Sequence, residues 1–405
     1  MQDRLVVVGN GMASLRFLER LTERAPDRYA VTVVGAEPVA AYNRVLLSSL
    51  LGGEVDEAAC RFRGLDWYAD HGITLVTGAP VTAIDRAERS IRVGEGLVLD
   101  YDKLVLAVGS VPIRLPKPGM DLPGVVAFRD LADVAAIRRN AVPGARAIVV
   151  GGGLLGLEAA VGLARRGVDT TLLHVMDRLM ERQLDHAAAE VVKRAMEARG
   201  VRVLLEADTA AIEGDGRVEA VRLADGRVLP ADLVVMSVGV RPSTALAAAA
   251  GLAIGRGIRV DDRMTTSDPA VFALGECAEH RGMTYGLVEP AYEQAEVLAR
   301  HLCGEEAAYA GTALSTSLKV SGLPVFSAGA VDVPEGAEAV IWSDPAAGLY
   351  RKLVIAEDRL LGAVFVGDVA EQGWCKTLIR SGDRLARTDR DDLMFGRPAP
   401  QPLAA

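Results

Sequence analysis

Residues 5 to 21 read LVVVGNGMASLRFLERL, and residues 147 to 163 read AIVVGGGLLGLEAAVGL. Each is an apolar strand, a glycine pattern and then an apolar stripe at helical spacing, which together spell a βα unit. In the first copy Met12, Leu15, Leu18 and Leu21 recur every three residues, and in the second Leu154, Leu157 and Val161 recur at three and four. The units start 142 positions apart, Gly9 to Gly151, which is one domain length and predicts two nucleotide-binding domains in one chain.

Composition agrees with that reading. The 405 residues allow two or three domains at roughly 150 residues each. Half the residues are apolar and 24% are charged, which excludes disorder and supplies large cores. The 45 Lys and Arg against 54 Asp and Glu give a net charge of -9, so no chain-wide basic field exists for nucleic acid or an anionic membrane. Forty-two glycines beside 7 Phe, 8 Tyr and 3 Trp favour tight turns and close backbone approach, as nucleotide-binding α/β folds require.

Cys60, Cys277, Cys303 and Cys375 have none of the short spacings of a zinc or iron-sulfur site. The five histidines likewise show no ligand spacing, so no metal is expected. The N-terminus, MQDRLVVVGNGMAS, leads into a strand and glycine pattern rather than a cleavable apolar segment. The longest apolar stretch, residues 233 to 255, is interrupted by Arg241 and Pro242, which argues against a membrane span. A reduced, soluble, cytoplasmic protein is the expectation.

Each unit continues to a second strand, YAVTVVGAEP at 29 to 38 and VDTTLLHV at 168 to 175. YDKLVLAVGS (101 to 110) and ADLVVMSVGV (231 to 240) are later strands leading to Gly109 and Gly239. Pro112, Pro116 and Pro118 mark a hinge between domains. From about Gly311 the texture turns to alternating β-like runs, followed by a helical stretch from Glu371 to Leu385, which predicts a third, α+β domain.

The glycine patterns carry the first chemistry. Gly9 permits a tight turn, and Gly11 lets the backbone approach a pyrophosphate at a helix N-terminus, where free N–H groups favour anions. Ser14 stands where a third glycine is usual and is small enough for close strand–helix packing. Glu37, 26 positions after Gly11, is either the acid that holds a ribose or a solvated turn residue before Pro38. Gly151-Gly152-Gly153-Leu154-Leu155-Gly156 is a complete fingerprint, but its strand ends in His174 rather than an acid. Gly275-Glu276 follows a short strand and precedes a helix beginning near Pro290; a carboxylate there suits a ribitol hydroxyl, and the helix N-terminus suits negative charge on a reduced flavin. Cys277, with no partner cysteine nearby, reads as a small buried residue.

These residues resemble the two-dinucleotide flavoprotein reductases of the ferredoxin and rubredoxin reductase type. More narrowly, the chain looks like the N-terminal FAD/NADH module of assimilatory nitrite reductase large subunits and the electron-transfer flavoproteins of nitrate assimilation. The carrying segments are VVVGNGMAS, AYNRVLLSSLL, VVGGGLLGLEAA, LMERQLD, VGVRP, TSDPAVFALGECA, YGLVEPAY, STSLKVSG and LGAVFVGD, of which LMERQLD, GECA and YGLVEPAY are the most specific. The fold implied is α/β and glutathione-reductase-like. It has two Rossmann-like domains, a discontinuous FAD-binding one over 1-112 and 240-310 and an NAD(P)H-binding one over 113-239, plus a small C-terminal α+β domain over 311-405.

The resemblance implies FAD on Gly9, Gly11, Met12, Ala13 and Ser14, with Glu37 at its ribose and Arg44 and Ser49 beside it. Val81, Ala107, Gly109, Arg129, Gly275, Glu276 and Val288 complete that pocket. NADH, with NADPH as the alternative, is implied on Gly151, Gly153, Leu154, Leu155 and Gly156, with Glu158 near the nicotinamide end, His174 at the strand end and Gly239 lining the cleft. Three positions depart from the pattern: Ala36 stands for an acid, Val108 for the threonine of an Ala-Thr-Gly motif, and His174 for the nucleotide-ribose acid.

Related disulfide reductases carry a cysteine pair after the second strand, and related oxidases a single cysteine; Tyr42 to Ser49 carries neither. The expected enzyme takes hydride from NAD(P)H to flavin N5, with rate from positioning rather than a side-chain base, and gives electrons to an external redox protein. The acceptor implied is a nitrate or nitrite reductase system. A ferredoxin- or rubredoxin-like carrier feeding an oxygenase is the nearest alternative, and a non-catalytic NADH/FAD redox sensor the other. Within these 405 residues no cysteine-rich iron-sulfur and sirohaem module is present, so the chain is not expected to reduce nitrite unaided. Trp374 and residues 376 to 390, with five basic against two acidic side chains, are read either as a partner dock or as a solvated face with Trp374 in the core.

Overall fold

The computed structural model describes residues 2–320 and 322–396, with the side chains of 318–320 excepted. Ser321 of the STSLKVSG segment and residues 397–405 of the expected C-terminal domain thus lie outside the described residues. The chain divides into two units, one made of Met1–Leu50, Val55–Ile113 and Val240–Thr312, the other of Leu51–Glu54, Arg114–Gly239 and Ala313–Ala405. One of the crossings between units falls inside the proline run, at Ile113/Arg114.

In the first unit a five-stranded parallel sheet runs in the order Val271–Ala273, Lys103–Leu106, Asp3–Val8, Tyr29–Val34, Thr74–Val76. Strand side chains alternate between faces. Leu5 and Val7 accordingly enter a core with Phe17, Leu18 and Leu21 of helix Met12–Arg24 and Leu298 of helix Val288–Leu302. Val6 and Val8 enter the opposite core with Ile84, Ile91, Leu104 and Ile258. The glycine turn therefore emerges at the carboxyl edge of a strand buried on both faces, the edge at which open α/β sheets take ligands.

The second unit repeats this plan. Its parallel sheet runs Val201–Leu204, Asp169–Leu173, Arg146–Val150, Leu233–Met236, Val125–Ala127. Helix Leu154–Arg165 follows the second glycine turn with Leu157 and Val161 fully buried.

The C-terminal stretch groups with the second unit but has its own antiparallel sheet, ordered Ser315–Val320, Leu323–Gly329, Arg359–Val366, Leu349–Ala356, Glu338–Asp344. Its core holds Phe326, Leu353, Phe365, Cys375, Leu378 and Leu393. The helix expected over 371 to 385 spans Gln372–Ser381 and stops at Gly382, whose φ of 66° is the left-handed cap that glycine adopts without strain. A separate helix, Arg387–Phe395, follows, so residues 376 to 390 straddle two helices.

Candidate functional site

Gly9 ends the first strand with φ +106°, and a Cβ placed on it would lie 2.2 Å from the Ala107 carbonyl oxygen. Only glycine fits a turn this close to the neighbouring strand. The chain then enters helix Met12–Arg24 through Gly11, which is extended at φ -105° and offers no side-chain cap. A Cβ on Gly11 would meet nothing within 4 Å. The amides of Met12, Ala13 and Ser14 thus begin an uncapped helix whose first turn has no acidic side chain and open space in front of it. That arrangement fits a dinucleotide pyrophosphate. Ser14 is buried and donates its hydroxyl to the Gly11 carbonyl at 2.9 Å, which accounts for serine at the third glycine position.

Three long-range contacts bring other expected residues to this turn. Gly275, at φ +78°, approaches so near that a Cβ on it would lie 3.0 Å from the Ala13 Cβ. Gly275 N–H is held by Gln294 Oε1 at 2.8 Å, while Gln294 Nε2 and the turn residue's Asn10 Nδ2 are buried with no partner. Two orphaned buried amide donors around the turn match a bound molecule rich in acceptors. Neither was singled out from sequence: Gln294 is a lone polar residue on a helix face, and Asn10 occupies a non-glycine position of the glycine pattern, so neither carries a local signal of its own. Glu276 accepts from the Ser110 hydroxyl at 2.7 Å, just beyond Gly109 at φ +66°.

Glu37 lies beyond the second strand, half-buried, and pairs with the Arg44 guanidinium. Tyr42 donates its hydroxyl to Glu37 at 2.7 Å and receives Arg44 Nη1 at 2.8 Å. The AYNR segment therefore steers the carboxylate. Ser49 lies in helix Leu47–Gly52, Val81 opens strand Val81–Asp85 and Val288 opens helix Val288–Leu302. Arg129 lies in the second unit, ahead of helix Leu131–Asn140, with its N–H on Asp133.

The second glycine turn repeats the first. Gly151 has φ +120°, and a Cβ on it would lie 2.1 Å from the Ser237 carbonyl oxygen; one on Gly156 would lie 1.9 Å from the Gly151 oxygen. Gly153 caps helix Leu154–Arg165 in extended conformation, without a side-chain cap and without an acid in the first turn, and faces open space. Leu154, Leu155 and Gly156 supply the leading amides, and Glu158 is half-buried one turn on. Gly239, at φ +101°, follows strand Leu233–Met236 as Gly109 follows Lys103–Leu106. His174 is buried, with Nδ1 3.1 Å from Gly152 N and Nε2 3.1 Å from the Glu181 carboxylate.

All four cysteines are free. Cys277 is fully buried against the Leu106 and Leu274 carbonyls, and burial pushes its thiol up to about 11. Burial also pushes up Cys60, Cys303 and Cys375. None is positioned to act as a thiolate or disulfide at neutral pH. Trp374 is partly buried against the C-terminal core. Among the described residues no group of His, Cys, Asp and Glu side chains is placed to hold a metal, and no helix is long and apolar enough to cross a membrane.

Comparison with known proteins gives two family matches: pyridine nucleotide-disulphide oxidoreductase over residues 3–295, and the rubredoxin NAD+ reductase C-terminal domain over 315–383. A nitrite reductase [NAD(P)H] of Bacillus subtilis (strain 168) is 44% identical over 97% of this chain and 49% of its own length. An assimilatory nitrate reductase electron transfer subunit of the same organism is 42% identical over 92% of this chain and 48% of its own. The chain thus spans about half the length of these relatives. Among solved structures, the covalent putidaredoxin reductase–putidaredoxin complex contains a chain that matches with a TM-score of 0.86 at 29% identity, covering 95% of each.

Proposed function

The chain belongs to the pyridine nucleotide-disulphide oxidoreductase family, a family of FAD-dependent NAD(P)H oxidoreductases, and from that premise we propose that it passes electrons from NADH to an external redox protein. FAD, when bound, supplies a hydride acceptor that can be reoxidised in single-electron steps. Gly9, Gly11, Met12, Ala13 and Ser14 would hold its pyrophosphate by backbone amides, Glu37 its ribose, and Gly275 and Glu276 its ribitol side. Gly151, Gly153, Leu154, Leu155 and Gly156 would hold the pyrophosphate of NADH in the same way.

The observation that carries this reading is the chemistry of the four thiols. Each is unpaired and pushed up by burial, so no sulfur relays electrons between the nucleotide and the acceptor. Electrons on the flavin then leave directly to an external acceptor, which in this reading is a one-electron redox partner. Likeness to the two Bacillus relatives across more than nine-tenths of the chain supports a nitrate or nitrite reductase system as that partner. The match to the rubredoxin NAD+ reductase C-terminal domain supports a ferredoxin- or rubredoxin-like carrier as the second reading.

The test compares acceptors. FAD-loaded protein and NADH are mixed with ferricyanide, with a nitrate or nitrite reductase catalytic component and with a small ferredoxin. Turnover with ferricyanide and with the nitrogen-oxide reductase is expected. Turnover with ferredoxin alone would favour the second reading, and a long-lived reduced complex that turns over with none would overturn both in favour of a sensor.

A further inference from the structure

In the second unit the strand that should end in a ribose-binding acid ends in His174, and the structure supplies a carboxylate by another route. Gly152 N–H donates to His174 Nδ1 at 3.1 Å. A backbone amide can only donate, so Nδ1 is the unprotonated nitrogen and the proton sits on Nε2. That proton faces Glu181 Oε2 at 3.1 Å. The imidazole is buried while the Glu181 side chain is 28% exposed, and its other oxygen has no hydrogen-bond partner among the described residues. The backbone holds the pair in place: Met180, at φ +52°, donates its N–H to the Gly152 carbonyl at 3.0 Å. The segment carrying Glu181 is thereby strapped onto the second glycine turn.

The middle glycine explains how the ring fits. A Cβ on Gly152 would lie 2.5 Å from His174 Cγ, so the ring occupies the space a side chain there would need. In the first unit the arrangement is reversed. Asn10 has the side chain and Gly35, past the strand end, has none, with a Cβ on Gly35 falling 3.0 Å from Asn10 Cβ. The middle glycine of the GGG run is thus a space for histidine, and the histidine is an arm that orients Glu181.

We propose that Glu181 accepts the hydroxyls of the adenosine ribose and so selects NADH over NADPH, with His174 as its positioning residue. A carboxylate accepts from a 2′-hydroxyl and repels a 2′-phosphate. Of the loop's cations, Arg178 donates to the loop's own Leu184 and Glu181 carbonyls and to Asp177, so it is engaged away from a phosphate. The proposal rests on the reading that the Gly151–Gly156 turn receives the nicotinamide dinucleotide.

Calorimetric titration of the FAD-loaded protein with NAD+ and with NADP+ tests it without turnover. NAD+ is expected to bind at least about tenfold tighter than NADP+, and Glu181→Gln to lose about tenfold in NAD+ affinity with NADP+ unchanged or improved. His174→Ala, which frees the carboxylate from its arm, is expected to reduce the ratio part way, while Glu181→Asp should retain most of it. An unmoved ratio in Glu181→Gln overturns the assignment. So does a wild type that prefers NADP+, a preference the exposed Arg182 next door would then supply. Binding of neither nucleotide to the wild type would instead overturn the reading of the turn itself.

Discussion

Arg146 grips Asp232 at three points: its backbone N–H and Nε meet Oδ2 at 2.9 and 3.0 Å, and Nη2 meets Oδ1 at 2.8 Å. Arg4, 142 positions earlier, grips Asp102 in the same three ways at 2.7, 3.1 and 3.2 Å. Each arginine opens or adjoins the central strand of its sheet, and each aspartate precedes the next strand, so the pair ties the edge opposite the glycine turn. The duplication visible in the glycine patterns therefore extends to the far end of both sheets.

A pH dependence follows. The arginine side chain, together with its backbone N–H, holds both Asp102 and Asp232 down at about 2, against a usual value near 3.8. Carboxyls depressed in the folded state contribute stability that is present above the unfolded value and lost as pH falls toward 2. Asp232→Asn is expected to cost up to about 1 kcal/mol at neutral pH, because the pair is partly exposed and screened. Urea unfolding at neutral pH and near pH 3, at low and at about 1 M salt, checks it. The gap between wild type and variant should narrow with acid and with salt; a gap that widens in acid contradicts the assignment.

Asp185 gives a stronger effect of the same sign. Its Oδ1 caps helix His186–Glu197 through Ala188 N–H, and its Oδ2 accepts from Lys352 Nζ at 2.8 Å and the Tyr350 hydroxyl at 2.7 Å. Burial pushes the carboxyl up, but Lys352 and Tyr350 outweigh it and leave it below the usual carboxylate range. Asp185→Asn keeps a cap and strands a buried ammonium, for a loss of about 3 kcal/mol. Asp185→Ala loses the cap as well, about 1 kcal/mol more. Thermal unfolding of the three proteins should rank in that order, and the wild-type advantage should fall away as pH drops below the ordinary carboxylate value of 3.8 toward the lowered folded one.

The two helix-capping glycines separate folding from binding. Gly11 and Gly153 are extended, and a Cβ on either meets no atom within 4 Å, so the protein itself tolerates a side chain there. Gly153→Asp sets a carboxylate where a pyrophosphate would lie, and should abolish NADH use while melting temperature and bound flavin stay at wild-type levels. Gly11→Asp should instead lose flavin. Gly156→Ala, with its Cβ 1.9 Å from a backbone oxygen, should cost about 1 to 3 kcal/mol in stability as well. Loss of folding in Gly153→Asp would contradict the open space seen at that cap.

What the sequence made legible was local. Strand, turn and helix at both fingerprints follow from period and glycine placement, because only glycine meets the Ala107 and Ser237 carbonyls at that distance. Contacts made across the chain were not legible. Glu181 comes from a loop seven residues past His174, Gln294 from a helix that reads as apolar, and Lys352 from a strand that reads as core. Gln294 and Lys352 have partners outside any local window, and Glu181 meets His174 through a loop that has no regular period, so no periodicity announces any of the three. The helix expected to Leu385 overran for the opposite reason: the apolar stripe continues past Gly382, and backbone preference stops the helix before the stripe does.

Thiol chemistry offers a direct check on the electron path. Because burial raises all four thiols and none is paired, iodoacetamide applied to the native protein at neutral pH should leave NADH-to-ferricyanide turnover within about twofold. Replacing the four cysteines by alanine or serine should lower stability at Cys60, Cys277 and Cys375, the three that are fully buried, without removing turnover. A loss of turnover on alkylation would require a sulfur relay and would rule out direct transfer.

The basic segment after Trp374 bears on partner choice. Arg380, Arg384 and Arg387 are exposed, whereas Arg390 is committed to Glu338 and Asp358 at 2.7 and 2.9 Å. Charge complementarity acts mainly on encounter rate. If an acidic acceptor docks here, changing Arg380, Arg384 and Arg387 together to glutamate should slow electron delivery to that acceptor by at least about tenfold at low salt and much less at high salt. Ferricyanide reduction serves as the control, since a small acceptor needs no docking face. Its own charge makes it respond weakly and in the same direction, so the ratio of the two rates is the quantity to read. A ratio that the triple variant leaves unchanged would assign these arginines to solvation of the helix face, and move the search for the dock to the rest of the surface.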